Sequence, residues 1–346
     1  MRSIYIQKPG TIKIVDGLKL PSLRRGEALL KVNYIGICGS DVSIYLGEMP
    51  MVVEFPRIIG HEISAEIMKI GKNKQGFRVG NLVTVLPYFN CKNFGQRLCP
   101  ACAEGAINAC INNKTMGVQR HGAASDYIAV PIENLVSGGD LSAKMLTLAE
   151  PFAVSYHAVK KARPRVGDNV LIIGAGPIGV AAMTVVKFFG AKVYIIDVNR
   201  RRLKLAKRLG ADGVFNPNAD DFEKFVKKAT FGKGMDLCVE ASGNSLAAIN
   251  CVKALRQPNR TVVAIAHSKK PLNNFFQSEL VKREGVYRGS RNSVLSDFLE
   301  VVKILSRRPD IEKMITKIYS VAEAPQAFKD LTNSDGKLHL KSLLKF

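Results

Sequence analysis

Short runs of branched apolar residues, each closed off by Gly, Pro or charged residues, recur through the first quarter of the chain. Thr11–Val15, Glu27–Ile37, Ile63–Ile70 and Asn81–Pro87 predict the strands of an all-β domain. From about residue 153 to 288 the pattern changes to alternating strands and helices. Val170–Ile173 and Val193–Ile196 are continuous branched runs of the kind a strand buried on both faces needs. Arg200–Gly210 and Asp220–Ala229 predict helices, and Gly213–Phe215, Met235–Glu240 and Thr261–Ala266 predict strands. That alternation describes a parallel sheet flanked by helices. An amphipathic helix is predicted over Val294–Ser306, and Leu338–Phe346 reads as a strand able to return to the first domain. No repeat or low-complexity tract interrupts the pattern.

The apolar run from Val170 to Asp197 meets three requirements for holding a dinucleotide. Gly174, Gly176 and Gly179 in Gly174-Ala175-Gly176-Pro177-Ile178-Gly179 have G-x-G-x-x-G spacing between a strand and a helix. The first glycine suits the tight turn, the second lets backbone approach a pyrophosphate, and the third permits close helix packing. The helix start offers free N–H groups to the diphosphate. The next strand ends in Asp197, whose carboxylate can accept bonds from an adenosine ribose and repels a 2′-phosphate, favouring NAD over NADP. Arg200, Arg201 and Arg202 read mainly as a solvated helix start, with Arg202 kept as a cofactor candidate. A membrane span over 169–186 is disfavoured by its glycines and Pro177.

At 346 residues, two domains with a cleft between them are expected. The N-terminus lacks a long apolar stretch after its positive charge, so a cytoplasmic location is expected. Seven cysteines fit that compartment as thiols and metal ligands. The net charge of +22 raises a nucleic-acid partner, but Lys and Arg are dispersed and do not interleave with aromatics. Background composition is the first explanation, attraction of an anionic substrate the second and nucleic acid a distant third.

Two groups of residues suggest metal. Cys38, Ser40 and Asp41 in Gly36-Ile37-Cys38-Gly39-Ser40-Asp41, with His61 and Glu62 after Gly60, bring a thiol, an imidazole and two carboxylates together. Each alone is most simply a core or surface residue. In company beside a nucleotide motif they suggest a catalytic zinc, which takes three protein ligands and leaves a position open. Cys91, Cys99, Cys102 and Cys110, spaced C-x7-C-x2-C-x7-C, describe a closed four-thiolate structural zinc site. Reduced surface thiols or a redox pair at Cys99 and Cys102 are the alternatives. Cys238 and Cys251 read as core residues, and His267 as either a ligand-binding or a solvated loop residue.

With GICGSD, GHE, the cysteine lobe, AEPF, GAGPIG and the aspartate in chain order, the sequence resembles the zinc-dependent medium-chain alcohol and polyol dehydrogenases throughout its length. Glu150 in Ala149-Glu150-Pro151-Phe152 looks like the sorbitol and threonine dehydrogenase branch, which has glutamate where the alcohol dehydrogenases place a third, cysteine ligand. GAGPIG, Gly289-Ser290-Arg291-Asn292 and the lysine-rich last strand look most like the sugar-acid (L-galactonate, L-gulonate, L-idonate) 5-dehydrogenases.

The resemblance implies a GroES-like β domain over 1–152 and 289–346, with a Rossmann doubly wound parallel sheet domain, 153–288, inserted between. It implies two zinc ions and NAD, with Cys38 and His61 plus Glu62 or Glu150 at the catalytic ion. Alternation in an extended segment would turn His61 and Glu62 apart, so a local bend is needed for both to reach one ion. Asp41 matches the carboxylate that orients the zinc histidine. Zinc would act as a Lewis acid on the substrate hydroxyl while hydride passes to the nicotinamide, and Ser40 would take the hydroxyl proton. The family's relay histidine, five positions after the cysteine, is Ser43 here, so the proton must leave by another route and turnover should rise with pH. Tyr45 matches a substrate-pocket position.

A second departure is five extra residues in the first gap of the cysteine lobe, within Lys92–Leu98; loop closure grows slowly with length, so the site should survive. A small hydroxyl substrate and a homodimer or homotetramer are implied, with Thr261–Ala266 near Tyr287–Gly289 as a plausible pairing edge. Neither nucleic acid nor membrane is expected as a partner. The competing functions are a dehydrogenase of a neutral polyol or L-threonine and, in another class, a zinc- and nucleotide-binding regulator without turnover.

Overall fold

The computed structural model describes residues 1–49, 51–219, 221–268, 271, 277–333 and 339–346. Asp220 and Leu338, the first residues of a predicted helix and a predicted strand, lie outside them. The chain divides into two compact units, Met1–Glu150 with Val294–Phe346, and Pro151–Ser293.

In the first unit, Glu27–Gly36 is the spine of a mainly antiparallel sheet. It pairs with Glu62–Ile70 along one edge and with Tyr127–Pro131 and Lys341–Lys345 along the other. Ala28, Leu30 and Val32 alternate into the core with Ile63, Ala65, Ile67, Val83 and Val85. A register shift between Val32 and Tyr34 changes the phase, so Ile35 and Gly36 are both buried. Lys341–Lys345 also runs parallel to Ile315–Ser320, so the end of the chain completes this sheet. The predicted Thr11–Val15 is a strand and forms a hairpin with Ser3–Lys8, which the pattern did not single out.

The second unit holds, among the described residues, a six-stranded parallel sheet in the order Gly213–Phe215, Lys192–Ile196, Asn169–Ile173, Leu237–Glu240, Thr261–Ala264, Val286–Gly289. This doubly wound order reverses at the glycine-rich strand, where such folds bind nucleotides. Val170–Ile173 is buried throughout, as a strand covered on both faces requires. The outer strand is Val286–Gly289, which holds the Tyr287–Gly289 part of the expected edge, and Thr261–Ala264 lies one position inward. Cys238 and Cys251 are buried in the core, and His267 is exposed beyond Thr261–Ala264. Among the described residues no helix is long and apolar enough to cross a membrane.

Candidate functional site

Cys38 stands at the entry to the short helix Gly39–Tyr45, where the Asp41 carboxylate accepts the Cys38 N–H at 2.9 Å and fixes the turn. The second arm is Ile59-Gly60-His61-Glu62. Gly60 has φ of +95°, and a Cβ there would lie 2.7 Å from the Ile35 side chain. The chain turns at this glycine, immediately before His61 and the strand Glu62–Ile70. Gly36 pairs with Glu62 across the sheet, and a Cβ on Gly36 would lie 2.0 Å from Glu62 Oε2. Gly36 thus makes room for the Glu62 carboxylate.

Ligand atoms of Cys38, His61 and Glu62 all lie within 4.8 Å of one another. Thiol, imidazole and carboxylate in that compass match the donor set of a catalytic zinc. His61 Nδ1 is buried without a hydrogen-bond partner, with Asp41 Oδ1 3.9 Å away and fully buried. Burial opposes a charged imidazole at His61, but Asp41 and Cys38 outweigh it and hold its pKa well above the ordinary value. A metal ion at this site would have to displace that proton. Burial raises the Asp41 carboxyl, with His61 opposing.

The two candidate carboxylates differ in their surroundings. Glu62 belongs to the compact trio, whereas Glu150, also buried, accepts a short hydrogen bond from the Tyr88 hydroxyl. Burial is the main reason that the Glu150 pKa is raised. Ser40 Oγ lies 3.5 Å from His61 Nε2, at the limit of a hydrogen bond. Ser43 and Tyr45 share the helix of Cys38 but are not drawn into the trio. The Ser43 carbonyl accepts the Glu48 N–H, and the Tyr45 ring packs on Phe328, with centroids 5.2 Å apart.

Two partners escaped the sequence patterns. One is Tyr88. The other is Lys341, whose Nζ lies 2.6 Å from both oxygens of Glu62. Burial acts to lower the lysine pKa, yet Glu62, Cys38 and Glu150 more than compensate and raise it. The available signal was a lysine two positions before the apolar pair Leu343-Leu344 in the last strand, Lys341–Lys345.

Cys91, Cys99, Cys102 and Cys110 converge with all four sulfurs within 4.8 Å, the Cys91–Cys110 pair at 3.5 Å. The five-residue enlargement is absorbed by a 3₁₀ turn, Cys91–Phe94, capped by Gly95 in the left-handed region at φ +62°. Backbone N–H groups of Cys102 and Ile111 bring the Cys99 thiol down to about 6, while burial pushes Cys102 up to about 12. A set of thiols with one ionised first suits stepwise closure around a cation.

In the parallel-sheet unit, Gly174 has φ of +106° and Gly179 packs so closely that a Cβ would lie 1.7 Å from the Gly174 carbonyl oxygen. A Cβ on Gly176, by contrast, would meet nothing within 4 Å. Gly176 caps the helix Pro177–Phe188, whose first turn has no side-chain cap. This leaves an open cradle of backbone at a helix N-terminus, the arrangement that accepts a diphosphate. Asp197 Oδ2 accepts the Ala175 N–H and Oδ1 the Asn199 N–H, both at 2.7 Å. Arg200 and Arg201 are exposed, while Arg202 is half-buried with its Nε buried and unpaired.

The family model for the alcohol dehydrogenase GroES-like domain matches residues 24–140, and that for zinc-binding dehydrogenases matches 177–307. The chain is 34% identical to the L-galactonate-5-dehydrogenase of Escherichia coli K12, over 91% of each chain. It is also 34% identical to the 2-dehydro-3-deoxy-L-galactonate 5-dehydrogenase of Pseudoalteromonas atlantica, over 94% of this chain and 93% of that one. Among solved structures, an alcohol dehydrogenase of Escherichia coli CFT073 complexed with NADH is similar with a TM-score of 0.88 and 30% identity, covering 100% of this chain and 99% of that one.

Proposed function

We propose, on the premise that the chain belongs to the zinc-dependent medium-chain alcohol and polyol dehydrogenases, that it oxidises a secondary hydroxyl of a sugar acid to the ketone with NAD as hydride acceptor. The observation that carries this reading is the convergence of Cys38, His61 and Glu62 in a chain that also carries an open glycine cradle closed by Asp197. Cys38, His61 and Glu62 would hold the catalytic ion, and the four lobe cysteines the structural one. Bound there, zinc supplies Lewis-acid polarisation of the substrate hydroxyl, and NAD supplies a carbon that accepts hydride.

The chain's own residues do the rest. Asp41 faces His61 and holds the Cys38 turn, so two ligands share one orienting carboxylate. Tyr88 secures Glu150 beside the trio. Ser40 Oγ takes the hydroxyl proton. Ser43 cannot store it as an imidazole would, so it passes on to water and turnover rises with pH. Gly176, Pro177, Ile178 and Gly179 receive the diphosphate, and Asp197 exchanges its backbone partners for the ribose hydroxyls, which favours NAD.

The sugar-acid class is supported by the named activities of both 34%-identical relatives and by a net charge of +22, which would draw an anion in. We place the enzyme in the cytoplasm on its free thiols, as an even-numbered homo-oligomer joined along Val286–Gly289. The test offers NAD with L-galactonate, L-gulonate, L-idonate, sorbitol, galactitol and L-threonine, following NADH absorbance with and without a zinc chelator. Activity on one hexonate, lost with chelator, is expected. Activity on a polyol or threonine alone would retain the dehydrogenase and discard the sugar acid.

A further inference from the structure

Lys341 is 3% exposed, and its Nζ reaches both oxygens of Glu62 at 2.6 Å and the Ile37 carbonyl at 3.1 Å. Gly36 opens the space the carboxylate fills, and the pairing of Lys341–Lys345 with the Glu27–Gly36 strand delivers the lysine to it. Desolvating two such charges is costly, and apolar residues of the same size commonly serve a fold as well or better. The pair therefore calls for a role beyond holding the sheet. Its carboxylate lies within ligand reach of Cys38 and His61.

We propose that Lys341 is a positioning residue of the metal site: its ammonium occupies the Glu62 carboxylate before an ion arrives and shares that carboxylate afterwards, so that it limits how tightly the ion is held. This rests on the assignment of Cys38, His61 and Glu62 as ligands. Two cations on one buried carboxylate repel each other and divide its charge. The coupling is reciprocal: whatever Lys341 subtracts from metal affinity, the metal subtracts from the Lys341–Glu62 pair. Lys341 thus keeps Glu62 satisfied and aimed without metal, at the expense of the metal's grip.

Zinc per chain, counted by atomic emission while the enzyme is titrated with a competing chelator, measures the affinity of the more labile site. Lys341→Met is expected to hold that zinc tighter by about tenfold or more, while its metal-free form melts at a lower temperature. Lys341→Arg, which keeps the charge, should stay close to the parent in zinc affinity. The lower melting temperature would follow from any structural role, but tighter zinc would not. Zinc affinity unchanged or weakened in Lys341→Met overturns the proposal. If that variant does not fold, Lys341→Gln, which keeps a donor for Glu62 without the charge, takes its place: tighter zinc supports the proposal, and unchanged or weaker zinc overturns it. Glu62→Gln separates the levels. Should it leave zinc affinity intact, the ligand assignment itself falls; should it weaken zinc while Lys341→Met changes nothing, only the role of Lys341 falls.

Discussion

A methyl group on Gly36 is the smallest change expected to empty the candidate metal site. Its Cβ would stand 2.0 Å from Glu62 Oε2, so the carboxylate must leave its place. Gly36→Ala should lose one zinc per chain while the cysteine lobe keeps its own. Because misplacing a group by about an ångström can cost two orders of magnitude, substrate oxidation should fall about a hundredfold or more. Zinc counting and a steady-state assay check this, and full zinc retention would remove Glu62 from the ligand set. Cys38, His61 and Glu62 were legible in the sequence because thiol, imidazole and carboxylate carry their chemistry in their identity. Tyr88 and Lys341 were not, because tyrosine and lysine have many ordinary uses and their partners lie 62 and 279 positions away along the chain. The different surroundings of Glu62 and Glu150 are likewise visible only in the fold, where Glu62 joins Cys38 and His61 and Glu150 meets Tyr88.

The element that receives the dinucleotide separates fold from binding at two glycines. Gly176→Ala adds a methyl where no protein atom lies within 4 Å, so the melting temperature should hold while NADH affinity, read by fluorescence titration, falls about tenfold as the methyl meets the pyrophosphate. Gly179→Ala, with its Cβ 1.7 Å from a backbone oxygen, should instead lower the melting temperature. Equal behaviour of the two would mean that the open side of the helix is not the binding side. The same helix is tied to the sheet by Asp212, which accepts the Val193 N–H at 2.7 Å and pairs with Lys187 at 3.0 Å. Burial raises the Asp212 carboxyl, but these donors outweigh it and leave its pKa below the ordinary value. Its contribution is therefore present above the unfolded value near about 4 and lost as pH falls through the lower folded value. With both side chains about a third exposed, Asp212→Asn should cost roughly 0.5–1 kcal/mol at neutral pH and almost nothing near pH 2, measured by urea melts. Elements like these were readable because apolar periodicity marks them. The predicted Arg200–Gly210 helix is observed as Arg200–Arg208, and Gly213–Phe215 coincides with its strand. Met235 falls outside the strand Leu237–Glu240 because it forms only an isolated bridge to Leu255. The short helices of the cysteine lobe carry no periodicity, since clustered sulfurs organise them.

At the scale of the whole molecule, 51 basic residues face 29 acidic ones, so even complete pairing leaves 22 positive charges. Pairs such as Lys144–Glu312 and Lys303–Glu300 have partners at least 38% exposed and contribute little each. The remaining charge acts as a field, reaching about one Debye length, ~10 Å at 0.1 M salt. Such a field has two separable consequences. Self-repulsion weakens the folded state, so the melting temperature should climb as sodium chloride rises from low concentration. Anions are also drawn in, so kcat/KM for a hexonate should drop with salt while that for a neutral polyol such as sorbitol stays level. Measuring both substrates across one salt series cancels general effects on the enzyme, because only the charged one senses the field. A parallel decline for both would trace the salt effect to the protein alone and return the positive charge to background composition. A decline confined to the hexonate would tie the basic surface to the substrate that the site is proposed to oxidise.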